Sequence, residues 1–167
     1  MVQVAVATIK RKRIKQMNIR LANKHDLPYF IHMVRKIHQL GDIGTFDVEL
    51  DDQYLNSMFV TAINGGGLVL IAQSDEPIGI LMALISPNIW SDKTLLMNEL
   101  LWYVDEEYRN TRAGYMLLKS YQEHCETLKK QKRIHFYTIS TAKSMFDIEF
   151  TRFGFDKIAE SWINTEE

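Results

Sequence analysis

The sequence predicts a mixed α/β (α+β-like) domain built on one sheet. Its 167 residues suit a single domain. Three apolar runs of strand length, "LVLIAQ", "PIGILMALI" and "LLMNELLWYV", follow one another closely. Stretches of helical period stand before and after them. No internal repeat and no linker divides the chain.

In chain order, "NIRLA" from Asn18 reads as a strand. Asn23 or Asp26 can cap the helix that follows, because a side-chain oxygen there accepts from first-turn amides. Pro28 is tolerated only near that start. Leu27, Phe30, Ile31, Val34 and Ile37 share one face of this helix. "GDIGTFDVELDD" reads as an acidic loop. A second helix, "DDQYLNSMFVTAIN", sets Tyr54, Leu55, Met58, Phe59 and Ala62 on one face, and Asn64–Gly65 end it because both tolerate positive φ. The run Gly65–Gly67 precedes a strand and lacks a following lysine, so it reads as a linker and not a phosphate loop.

The first two apolar strands are joined by "SDEP", a tight turn. After the third comes a long helix with the stripe Leu117, Leu118, Tyr121, Cys125 and Leu128. "RIHFYTIS" is a further strand. Ser140 or Thr141 can cap a helix carrying Phe146, Phe150 and Phe153, with Gly154 as its stop. "FDKIAESWI" reads as a last strand. The order is therefore β-α-α-β-β-β-α-β-α-β.

Composition narrows the function classes. One cysteine, Cys125, excludes an internal disulfide and any cysteine-cluster metal site. It suits a reducing compartment, and a cytoplasmic location is expected. The histidines show no metal spacing, so no metal is expected. No apolar run reaches the roughly 18 residues a membrane helix needs. The opening "MVQVAVATIKRKR" is not a secretory signal, since its basic residues follow the apolar stretch.

The formal net charge of −1 hides an asymmetry. Residues 1–16 carry Lys10, Arg11, Lys12, Arg13 and Lys15 and no acid, so the remainder carries −6. An acidic body argues against a nucleic-acid face. The basic arm reads as an extension ahead of a domain over 17–167. Its alternating Val2, Val4 and Val6 predict a strand added to the sheet or to a partner subunit, which is compatible with a homodimer.

The chemistry concentrates in "YRNTRAGYMLLKSY", Tyr108–Tyr121. A strand passes into a helix through a turn rich in cations and donors. A helix N-terminus carries unpaired amides and about half a positive charge, which suits an anion such as phosphate. Arg109 and Arg112 add full charges able to fork onto phosphate oxygens. Gly114 lets a ligand approach the backbone. On spacing alone a second reading stands beside this one: the two arginines simply pair with Asp105, Glu106 and Glu107.

At these residues the chain resembles motif A of the GNAT N-acetyltransferases. That motif runs Val, four residues, Arg or Gln, two residues, Gly, one residue, Gly or Ala; Val104, Arg109 and Gly114 match it. "NIRLANKHDLP" resembles the family's opening strand and helix, and "FTRFGF" its closing element. "ELLWYVDEEYR" and "RAGYMLLKSYQEH" are most similar to small members encoded by bacteriophages.

The resemblance implies the acyl-CoA N-acyltransferase fold, a single mostly antiparallel twisted sheet flanked by about four helices. It implies acetyl-CoA as acyl donor. Backbone of Trp102, Tyr103 and Val104 would pair with the pantetheine arm. Amides of Asn110, Thr111, Arg112, Ala113 and Gly114, with Arg109, would hold the pyrophosphate. Arg112 and Asn110 depart from positions where the family often has glycine.

Acetyl transfer to an amine needs alignment, a proton acceptor and oxyanion stabilisation. An alkylammonium has a pKa of about 10, so a base is useful. Glu99 lies inside an otherwise apolar strand, and burial would raise its pKa toward neutrality. The family often places a glutamate on this strand. The structural alternative is that Glu99 pairs with a lysine or an amide at the strand edge. Many relatives carry a tyrosine as general acid where this chain has Phe150. Cys125, in an apolar stripe, reads as core, and His124 and His135 as solvated or satisfied.

The acceptor is not legible. Asp42, Asp47, Glu49, Asp51 and Asp52 border the region the family uses for it, and would draw cations such as polyamines, aminoglycosides or lysine side chains. Helix-capping aspartates in a solvated loop are the alternative. Two rival functions remain in view: a non-catalytic CoA-binding or virion-associated interaction protein, and a toxin-like acetyltransferase acting on aminoacyl-tRNA.

Overall fold

The computed structural model describes residues 16–39, 49–140 and 148–159. Five strands form one sheet in the order β1-β2-β3-β4-β5. They are β1 Asn18–Leu21, β2 Gly67–Gln73, β3 Pro77–Asn88, β4 Ser91–Val104 and β5 Phe136–Thr138. Neighbours are antiparallel except β4 and β5, which run parallel. Three α-helices flank the sheet among the described residues: α1 Leu27–Gln39, α2 Asp52–Thr61 and α3 Ala113–Lys130. None of them is long and apolar enough to cross a membrane.

The central strands are apolar on both faces because both faces are covered. Leu68, Leu70 and Ala72 of β2 join a core with Leu117, Leu118, Tyr121 and Cys125 of α3. Val69 and Ile71 point the other way, to Phe30, Met33 and Ile37 of α1 and Leu55 and Phe59 of α2. Each fully buried Val, Leu, Ile, Phe or Met among them contributes about 1.5–3 kcal/mol by leaving water. The long-helix stripe follows the predicted one. On α1 the fully buried positions include Met33, while Leu27, Ile31 and Val34 are half-buried. On α2, Tyr54 is exposed, because the sheet covers a face narrower than the apolar stripe.

Local signals explain the boundaries. Asn23 accepts from His25 N while Asp26 accepts from Asn23 N, a reciprocal cap ahead of α1. Asp51 caps α2, accepting from the amides of Gln53 and Tyr54. Gly65, at φ +96°, turns the chain out of α2. A Cβ on Gly67 would lie 2.2 Å from Ala83 O, so that glycine is fixed by the β2–β3 approach.

Two strands outrun the sequence reading. β3 and β4 continue to a turn at Ile89–Trp90, through "SPNIWSDKT", which reads as loop. Pro87 is tolerated because it lies past the end of β2, whose last partner on β3 is Leu84. Beyond β5, Phe150–Phe153 form one 3-10 turn, and Gly154 stops it at φ +78°. Most of the expected helix before it lies outside the described residues. Residues 155–159 form no strand, and the rest of the expected last strand is likewise outside them. The same holds for the basic arm, and for Asp42 and Asp47.

Candidate active site

The site begins where the sheet opens. The β4–β5 ladder runs through Leu96↔Phe136, Met97↔Tyr137 and Asn98↔Thr138, then stops. From Glu99 to Val104 the β4 edge facing β5 has no strand partner among the described residues. On its other edge β4 stays paired to β3, with one irregularity: Ala83 faces Glu99 while Met82 faces Leu101, leaving Leu100 as an extra residue. This bulge resets the alternation. Met97 and Trp102, an odd number of residues apart, both pack on the α3 side, while Leu101 and Tyr103 pack on the α1–α2 side.

Tyr121 of α3 reaches the point of divergence. Its hydroxyl contacts Met97 O at 3.2 Å and Thr138 O at 2.8 Å, one carbonyl on each strand. Across the same region Thr138 Oγ1 donates to Asn98 Oδ1 at 3.2 Å, and Asn98 Nδ2 donates to Ser86 Oγ at 2.6 Å.

Glu99 is 8% exposed. Its Oε2 accepts from the amide of Ser140 at 3.0 Å and from the Ser140 hydroxyl at 2.7 Å. Burial pushes the carboxyl above the ordinary glutamate range, and the two Ser140 bonds pull it partly back. No cation pairs with Glu99 among the described residues. Its partner is therefore an amide and a hydroxyl, not a lysine.

The predicted turn lies at the far end of the open edge. Trp102, Val104 and Gly114 converge: a Cβ on Gly114 would stand 3.7 Å from Trp102 and 3.8 Å from Val104. Ala113 is fully buried beneath. Thr111 Oγ1 donates to Tyr108 O and accepts from Ala113 N. Met116 N reaches Arg112 O, while the amides of Gly114 and Tyr115 find no acceptor among the described residues. Asn110 and Arg112 are exposed. Arg112 sits at the N-cap with no ion-pair partner among the described residues.

Two predicted residues face elsewhere. Tyr103 turns its fully buried ring to the α1–α2 side, so only its backbone lies on the open edge. Arg109 folds back onto the protein. Its guanidinium carbon stands 5.2 Å from the Tyr103 ring centre, Nε donates to Val104 O, and the group lies 3.8 Å from Glu106. Phe150 packs near Trp102, ring centres 6.4 Å apart, and near Phe155. Cys125 is core, its thiol pushed up to about 12 by burial. His135 Nδ1 accepts from Leu95 N, and His124 Nδ1 meets Ser120 O, so both rings are satisfied. An open cleft of about 460 Å³ lies away from all of this, between the α2–β2 turn and the C-terminal half of α3.

A sequence profile described as the acetyltransferase (GNAT) family matches residues 31–155. The chain belongs to that family. It is an N-acetyltransferase by class, and its sheet, open between parallel β4 and β5, is the family's fold. No curated protein matches the sequence closely enough to add to this.

Solved structures agree on the fold. An aminoglycoside acetyltransferase from an uncultured soil metagenomic sample, solved with sisomicin, is 16% identical, with 90% of this chain and 97% of that one covered at a TM-score of 0.64. A predicted acetyltransferase from Clostridium acetobutylicum, solved with acetyl-CoA, is 15% identical over 90% and 96%, at 0.65. A GNAT-family acetyltransferase from Staphylococcus aureus is 22% identical over 74% and 75%, at 0.55.

Several residues of this acetyltransferase's site escape sequence reasoning. Ser140, Tyr121, Asn98, Thr138 and Ser86 act through partners far away in the chain. The one usable signal is a polar residue interrupting an apolar strand, as at Asn98 and Glu99.

Proposed function

We propose that the protein transfers an acetyl group from acetyl-CoA directly to a primary amine, with Glu99 as the base. One observation carries the reading. A strand edge that starts at the buried carboxylate of Glu99 and is unpaired from Glu99 to Val104 leads to a helix N-terminus whose glycine leaves room above Trp102 and Val104. The residues fit a diphosphate and its amide-bearing arm. Free amides of Gly114 and Tyr115 and the unpaired Arg112 offer donors to the diphosphate. The backbone edge of Trp102–Val104, apart from Val104 O, which Arg109 Nε engages, offers donors and acceptors to the arm. Acetyl-CoA supplies an activated thioester.

The chain's own residues then do three things. The strand edge and α3 terminus fix the donor. The open region between β4 and β5 lets an amine come within reach of Glu99. Glu99 takes the proton that the ammonium must lose, at Oε1, the oxygen that Ser140 leaves free. The general acid is unassigned: Phe150 has no proton to give, and water can serve.

The case for a cation-drawing acidic rim near α2 is weaker than the sequence alone suggests, because two of its acids have structural partners. Asp51 caps the helix and Asp52 pairs with Arg35 at 2.5 Å. The sisomicin complex of the metagenomic relative keeps aminoglycosides among the acceptors to be tried. Thiol release from acetyl-CoA across a panel of polyamines, aminoglycosides and lysine peptides tests the proposal. Release stimulated by an amine supports it. CoA binding with no stimulated release would favour the non-catalytic alternative.

The similarity in wording to bacteriophage members supports a phage origin and work in a host cytoplasm.

A further inference from the structure

The bond between Glu99 and Ser140 lies at a mechanically and chemically special place. The backbone ladder between β4 and β5 ends at Asn98 and Thr138. One residue further along β4, and two past the end of β5, a side chain continues the link that the backbone has abandoned. Both donors of Ser140 converge on one oxygen, Oε2, at 3.0 and 2.7 Å. Oε1 takes no hydrogen bond among the described residues. A glutamate has three side-chain torsions, and fixing one oxygen fixes where the other points.

From this we infer that Ser140 is the positioning residue for Glu99: it holds the carboxylate across the open region and presents Oε1 to the acceptor. The inference rests on the reading of Glu99 as the base. Ser140 does not touch the reacting atoms; it acts through Glu99. The other surroundings of Glu99 leave that task to it. Ala83 stands opposite on β3, and no cation offers a competing partner among the described residues. The titratable group facing it from α3 is Tyr121, whose phenol is held far above its ordinary value by burial and stays neutral across any usable assay range. On β5 and β4 the adjacent groups, Thr138 and Asn98, do not titrate.

Ser140 is exposed, so Ser140→Ala and Ser140→Thr should both fold. The carboxyl carbon of Glu99 is followed by ¹³C NMR against pH in the ligand-free protein, and kcat/KM against pH with acetyl-CoA and the best amine of the panel. Losing the hydroxyl removes a donor to the charged form, so the Glu99 titration should move up by about one pH unit in Ser140→Ala. The acid limb of kcat/KM should move with it, Ser140→Thr should restore both, and CoA affinity should not change. An unmoved titration in Ser140→Ala overturns the inference. A titration that moves while the acid limb stays fixed also overturns it as a role in the reaction. In that case Glu99→Gln at the wild-type rate would locate the failure in the base reading and not in the Glu99–Ser140 bond.

Discussion

The Tyr121 hydroxyl donates toward Thr138 O across 2.8 Å, at the last rung before β4 and β5 separate. Met97 O on the opposite strand lies 3.2 Å from the same oxygen. One proton therefore serves two carbonyls. Tyr121→Phe removes it while keeping the ring, which stacks edge-on to Tyr137 at 5.8 Å. A buried carbonyl and a part-buried one lose a donor, and stability should fall by about 1–2 kcal/mol in urea titration. If stability is unchanged, the hydroxyl is not what ties α3 to the two strands.

Gly114 separates packing from ligand binding. A Cβ there meets Trp102 and Val104 at ordinary contact distance, so the fold does not require glycine. Gly114→Ala should melt no lower than the parent, since alanine is the better helix former. Gly114→Asp places a carboxylate where a diphosphate would sit and closes the approach. CoA affinity should drop at least about tenfold, or 1.4 kcal/mol, by calorimetry. Unchanged affinity in a folded Gly114→Asp protein would remove the diphosphate from this turn.

What the sequence disclosed follows from interaction range. α3 and its stripe are legible because Leu117, Leu118, Tyr121 and Cys125 recur at helical spacing. Gly65 and Asp51 are legible because caps and positive φ act within a few residues. The apolar runs end at Ile85 and resume at Leu95, so the outer ends of β3 and β4 are not legible from them, and only the sheet shows that β2 has already ended before Pro87. Arg109 illustrates the limit within the site. Its motif spacing points to a phosphate, but its orientation is decided by Tyr103 and Val104, which the chain brings back only after folding. Glu99 was visible as a polar break in an apolar strand, while its partner Ser140 depended on the register of two parallel strands.

Asp26 should carry an acid-sensitive part of the stability. It is 7% exposed, accepts from Arg20 at 2.8 and 2.7 Å, and accepts from Asn23 N at 2.8 Å. The Arg20 guanidinium, aided by that amide, holds its carboxyl below the ordinary value despite burial. A depressed folded pKa gives stability that is present above the unfolded value, about 3.9, and lost as pH falls through the folded one. Asp26→Asn should cost about 1.5–3 kcal/mol near neutrality. The gap to wild type should narrow below about pH 4 in chemical denaturation curves. A gap that is constant down to pH 2 would mean that shape, not charge, is what Asp26 supplies.

Glu99 has the opposite sign, which allows one substitution to be read twice. Its folded pKa is raised, mainly by burial. The native state then binds a proton more tightly than the unfolded chain, so wild-type stability falls as pH rises from the unfolded value, about 4.3, through the raised folded one. Glu99→Gln cannot titrate, and its amide oxygen can still accept from Ser140. The variant should therefore gain on wild type as pH climbs through that window and keep the advantage above it. Activity should move the other way. A glutamine takes no proton, so kcat should fall roughly 10²–10⁴-fold, the usual worth of acid–base catalysis, with CoA affinity intact because α3's terminus lies at the other end of the open edge. Denaturation and steady-state thiol release on one preparation measure both. A variant that is stabilised and fully active would show Glu99 to be a buried charge without a part in the reaction, leaving substrate alignment to carry the catalysis.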